Sequence, residues 1–93
     1  MSVRLIVHMH AAPGQSAQFI ASVKERIASV ETEPGFEQYD IAQNVASPEQ
    51  FVLMEQWATE AALEVHRALT ATRPQMGTPH RVPPTVIEQY ERA

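Results

Sequence analysis

The sequence predicts an α+β fold of the ferredoxin-like kind: strand, helix, strand, strand, helix, strand, with both helices on one face of an antiparallel sheet. Three observations carry this. Residues 51–57 alternate as a strand and pass directly into a helical repeat; a short hairpin turn precedes them; and an amphipathic helix bounded by Pro-Gly turns stands between the first two strands.

Taken in order, Val3, Leu5, Val7 and Met9 alternate with Arg4, Ile6, His8 and His10, a β-rich pattern that makes the first strand. Ala12-Pro13-Gly14 breaks it. Ile20, Val23, Ile27 and Val30 then repeat at helical spacing, with Phe19 flanking and Lys24, Glu25 and Arg26 turned outward. Glu33-Pro34-Gly35 closes that helix, because proline disfavours helical geometry in the residue before it and glycine accepts a positive φ. Phe36 to Gln43 sets Tyr39 and Ile41 against Gln38, Asp40 and Ala42, a half-exposed strand. Asn44 to Glu49, with Ser47-Pro48, is short enough for a hairpin. The next strand, Phe51 to Trp57, is apolar on both faces and should be covered on both.

Thr59 is placed to cap a helix running to about Thr72, with Glu60 in its positive first turn. Ala62, Leu63, His66 and Leu69 form its apolar stripe, so His66 faces inward and should share one interior space with Trp57. Pro74, Pro79, Pro83 and Pro84 mark a loop crossing the molecule, and Thr85 to Tyr90 supplies the last strand.

At 93 residues the chain is read as a single domain that removes only about two-thirds of its unfolded surface from water. Without cysteine, the expected reinforcement is a homodimer, in which the uncovered sheet face meets a second copy and closes a dimeric α+β barrel. A net charge of -4 with seven Lys+Arg argues against nucleic acid. The N-terminus carries neither a signal-like nor a membrane-spanning run, so no membrane partner and a cytoplasmic location are expected.

Several side chains are chemical candidates. Trp57 offers a broad apolar face to a flat substrate, or simply fills the core. His66 can deprotonate a phenol, or fix its helix over the sheet. Tyr39 can donate to a substrate oxygen or bury its ring. Glu55, between Leu53 and Trp57, has a raised pKa if its side is dry, or else pairs with Arg4 or Arg67. His8 and His10 share a strand face and read as polar groups beside a cavity or an interface; no third metal ligand accompanies them, and no metal is expected. Arg73 and Arg81 could guide an anionic substrate or remain solvated.

Pro13-Gly14 before a helix containing Phe19, Glu33-Pro34-Gly35-Phe36 leading to Tyr39, the run Phe51 to Trp57, and His66 nine residues after Trp57 together resemble the antibiotic biosynthesis monooxygenase domains of the dimeric α+β barrel superfamily. The resemblance spans the chain to about residue 70. It implies a small cytoplasmic homodimer that oxygenates a quinol or polycyclic phenol with molecular oxygen and no cofactor. On that implication His66, Trp57 and Tyr39 are the catalytic candidates, with His8, His10, Glu55 and Arg73 placed to bind a small apolar or aromatic substrate. Relatives of the same fold bind or degrade haem, isomerise small metabolites, or bind ligands without catalysis, and these remain alternatives. The sole asparagine, Asn44, falls in the hairpin turn, so the pocket asparagine of several catalytic members has no match here.

Overall fold

A computed structural model describes residues 1–92. Strand β1 (Ser2–Ala11), helix α1 (Ser16–Val30), strands β2 (Phe36–Gln43) and β3 (Gln50–Trp57), helix α2 (Glu60–Thr70) and strand β4 (Arg81–Arg92) occur in the predicted order. The four strands form one antiparallel sheet in the order β2-β3-β1-β4, so β1 and β3 are central and the prolines of β4 sit on an edge.

Strict alternation decides which side is core. Val3, Leu5, Val7, Met9 and Ala11 of β1 and Phe51, Leu53, Glu55 and Trp57 of β3 are buried under the helices, while the intervening residues of both strands are half-buried on the open face. Phe19, Val23 and Val30 of α1 and Leu63 of α2 close the same core. Thr59 caps α2 as the sequence predicts, its Oγ1 accepting from the Ala62 N–H at 3.1 Å. Asn44 shapes the hairpin turn, its Oδ1 accepting from the amides of Ala46 and Ser47 at 2.8 and 3.0 Å.

Three expectations change. The buried stripe of α1 is Phe19, Val23 and Val30, with Ile20 and Ile27 only partly covered, because the helix is turned toward the loop after α2. Leu69 is exposed, so the inner face of α2 is Leu63 and His66. Strand β4 begins at Arg81 rather than Thr85. Its register with β1 shifts between His8 and His10, where extra β4 residues including Pro83 and Pro84 are accommodated; on an edge the missing proline N–H groups break no ladder.

Gly35 and Gly77 hold the two turns that bring these layers together. Gly35 has φ +76 and lies against α2 so closely that a Cβ there would overlap the Ala62 Cβ; Gly77 has φ +87 and lets the Phe19 ring lie on its backbone. Both close approaches need the absence of a side chain.

Candidate functional site

Beneath α2 a cluster of polar side chains is buried among the apolar ones, and each carries a partner. His66, 6% exposed, enters the core beside Glu33 at 8% and Glu55 at 5%. Its Nδ1 is 2.8 Å from Glu33 Oε1, and the other Glu33 oxygen accepts from Arg73 at 3.1 Å. Across the ring, Nε2 lies 3.6 Å from Glu55 Oε1 and 3.4 Å from Thr70 Oγ1. Trp57 stacks on the imidazole at 4.5 Å and 27° and donates its indole N–H to Glu55 at 3.0 Å. Phe36 meets the indole edge-on at 6.1 Å.

This arrangement fixes the chemistry of the imidazole. An ionised carboxylate only accepts hydrogen bonds, so Glu33 at 2.8 Å favours hydrogen on Nδ1, while Nε2, with Glu55 at 3.6 Å and Thr70 at 3.4 Å, is the nitrogen without a short contact. Glu55 has its pKa raised by burial, against the opposing effects of the Trp57 N–H and of His66. Tyr39 meets His66 edge-on at 5.9 Å and donates its hydroxyl to the Met76 sulfur at 3.6 Å. Burial, and then the nearby Glu55 carboxyl, push its phenol far above the ordinary value, so it stays a neutral donor.

Two adjoining hollows open beside this cluster. One, of about 320 Å³, lies between α2 and the β1 and β4 strands; the other, of about 260 Å³, runs under the 71–80 loop. They share Val7, Glu55, His66, Thr70 and Ile87 as common wall, whereas Glu33 lines neither, so the Nε2 side of the His66 ring, toward Glu55 and Thr70, is the side nearer the hollows. The second hollow is also walled by Tyr39, Arg26 and Arg81. The larger open depression between the hairpin turn and Pro83 contains His10 and none of these groups, and another, beside residues 73–78, is lined by Arg26 and Arg73 but not by His66, Glu55 or Tyr39.

The structure thus brings His66, Trp57, Tyr39, Glu55 and Arg73 into one cluster and leaves His8 and His10 out of it. Trp57 is wholly buried and stands behind the imidazole instead of lining the hollow, so it touches the ring of His66 and not the cavity. Arg73 faces Glu33. His8 is on the open sheet face, its Nε2 2.7 Å from Glu88, and His10 lines the depression at the far end of β1, because the first strand's even residues point away from the helices. Glu55 is paired with neither Arg4 nor Arg67: the first bonds Gln38 and Gln56 on the open face, and the second bonds Glu64 and Gln89.

Glu33 escaped the sequence reading, and Arg26, read as turned outward, instead joins the wall of the second hollow. Glu33 was legible only as part of a helix-ending turn, since its partner His66 is 33 residues away. Arg26 left a signal: with Phe19, Val23 and Val30 it recurs at helical spacing on the face that proves to be inward.

A family model described as antibiotic biosynthesis monooxygenase matches residues 2–73, which contain His66, Glu33, Glu55, Trp57, Tyr39, Thr70 and Arg73. None of the curated proteins matches the chain. Among solved structures, PA3566 from Pseudomonas aeruginosa is 28% identical with a TM-score of 0.80, over 99% of this chain and 94% of that one. Rv0793 from Mycobacterium tuberculosis is 21% identical with a TM-score of 0.82, over 100% and 96% of the two chains. A conserved protein from Methanosarcina mazei Go1 is 19% identical with a TM-score of 0.81, over 100% and 94%. At those last identities the likeness shows the fold alone.

Proposed function

Starting from the antibiotic biosynthesis monooxygenase family, to which this chain belongs, we propose that it is a cofactor-independent monooxygenase acting on a small quinol or polycyclic phenol, with His66 as the base. The observation that carries this reading is the imidazole at the junction of two hollows, fixed through Nδ1 by a buried carboxylate, with Nε2 on the cavity side.

In this reading a substrate hydroxyl lies against Nε2 and gives up its proton there. Glu33 holds the ring in the tautomer that accepts it, and Glu33 and Glu55 on either side favour the resulting positive charge. Tyr39, by turning its single O–H from the Met76 sulfur, donates to the oxygen left behind. The electron-rich anion passes an electron to molecular oxygen, and the two radicals combine at a ring carbon. Loss of water from the hydroperoxide leaves one oxygen atom as a new carbonyl and sends the other out as water with two substrate hydrogens. A dihydroxynaphthalene plus oxygen becomes a hydroxynaphthoquinone plus water. The protein supplies orientation, a proton acceptor and a dry site.

Trp57 acts here through His66 and Glu55, as a positioning residue, and Arg73 acts through Glu33. A homodimer fits the chain's surface: Val86, Ile87 and Tyr90 of edge strand β4 are exposed, and apolar Ile6, Val52 and Met54 sit half-covered on the open face.

Oxygen uptake with a panel of dihydroxynaphthalenes and anthrones tests the proposal. We expect consumption that His66→Ala lowers at least a hundredfold, within the usual contribution of a general base of about 10² to 10⁴. No uptake above buffer, or full activity in a folded His66→Ala protein, would end it. Haem binding finds less support, because each hollow, at about 260 and 320 Å³, is small for a porphyrin with its side chains. Titration with hemin should leave the Soret band unshifted.

A further inference from the structure

The hollow under the 71–80 loop is lopsided in charge. His66, Glu55 and Thr70 form the end it shares with its neighbour, whereas Arg26 and Arg81 join the wall it does not share. Among the described residues the ion pairs are His8–Glu88, His66–Glu33, His66–Glu55, Arg67–Glu64 and Arg73–Glu33, so neither Arg26 nor Arg81 meets a carboxylate. Arg26 donates to the Pro74 carbonyl. Arg81 donates through Nη1 to the Met76 carbonyl at 3.1 Å and through Nη2 to Thr85 Oγ1 at 2.8 Å, while its Nε is buried without an acceptor. Burial lowers the pKa of this guanidinium, the mark of a cation held where water stabilises it poorly. Neutral acceptors satisfy donors but not charge. At the opposite end the carboxyl of Glu55 is turned to Trp57 and His66, and that of Glu33 to His66 and Arg73.

We propose that this hollow selects substrates bearing a ring carboxylate in addition to the ring hydroxyl that meets His66, with Arg81, assisted by Arg26, as the residue that determines that specificity. The inference rests on the monooxygenase reading for the orientation it assumes, hydroxyl toward His66 and carboxylate toward Arg81. It does not need the oxidation to occur.

The test is a matched pair of ligands, 1,4-dihydroxy-2-naphthoate and 1,4-dihydroxynaphthalene, titrated anaerobically by calorimetry into the intact protein, with oxygen uptake measured separately. A charge-assisted contact should make the carboxylate bind about tenfold tighter or more. Arg81→Gln should bring the ratio to about one by weakening only the carboxylate ligand, and Arg81→Lys should keep part of the preference. Should Arg81→Gln not fold, the wild-type ratio stands as evidence and Arg26→Gln, expected to reduce it, replaces the variant. Equal affinities in the wild type, binding of neither ligand, or an undiminished preference in folded Arg81→Gln overturns the proposal. Preference without oxygen uptake leaves it standing and removes the oxygenase; uptake with neutral quinols and no preference does the reverse.

Discussion

Replacing Glu33 by glutamine removes one charge, keeps the side chain's shape, and should move the ring hydrogen of His66. Arg73 has only donors to offer, so the new amide oxygen is retained by its guanidinium. The amide nitrogen must then face His66 Nδ1, 2.8 Å away in the native protein. A donor there is tolerated only if Nδ1 is unprotonated, which moves the ring hydrogen to Nε2 and blocks the nitrogen assigned as base. The Glu33 side chain is 5% exposed and that of Arg73 23%, so one charged contact is lost and another weakened in a dry site. The expected cost is about 2–3 kcal/mol, or a fall in melting temperature of roughly 10–20 °C for a domain of this size. Turnover should drop by about 10² to 10⁴. Nitrogen chemical shifts of the His66 ring, read at a pH where it is neutral, report the tautomer without any substrate: hydrogen on Nδ1 in the wild type and on Nε2 in the variant. A wild-type ring with hydrogen on Nε2, or the same tautomer in both folded proteins, would refute the reasoning.

Glu55→Gln tests the buried carboxyl by its pH dependence. Burial raises the folded-state pKa of Glu55 above its ordinary 4.5, so the stabilising contribution of the protonated form is complete below that value and is lost as pH rises through the folded pKa. The variant, which cannot titrate and still offers an oxygen to Trp57, should therefore gain stability relative to wild type as pH rises above about 4.5, seen as a growing difference in urea midpoints; a flat difference would show the carboxyl to be unperturbed. Gly35→Ala should cost about 2–4 kcal/mol, from the positive φ of +76 and the overlap with Ala62, and a drop in melting temperature of less than a few degrees would mean that α2 moves aside freely.

Much of the fold was legible because the informative signals are local. Alternation in β1 and β3, the Thr59 cap, the Asn44 turn and the two Pro-Gly breaks each concern neighbours in sequence, and they sufficed for element order, sheet class and the inward face of His66. The start of β4 was misplaced for a physical reason: Pro83 and Pro84 exclude a central strand but not an edge with a register shift, and sequence alone does not say which strand will be the edge.

The site divides in the same way. Periodicity placed His66, Glu55 and Tyr39 on inward faces, but who meets whom depended on contacts across 33 residues for Glu33 and His66 and 40 for Arg73 and Glu33. The sequence determined the layers and the side that the residues of the central strands take, because backbone sterics and hydrophobic burial act within a turn or a strand. Only the tertiary structure decided that the indole backs the imidazole instead of facing the hollow, that Glu33 holds the ring through Nδ1, and that Arg81 enters the cavity wall. Those outcomes come from the packing of α2 and the 71–80 loop over the sheet, which brings together side chains distant along the chain.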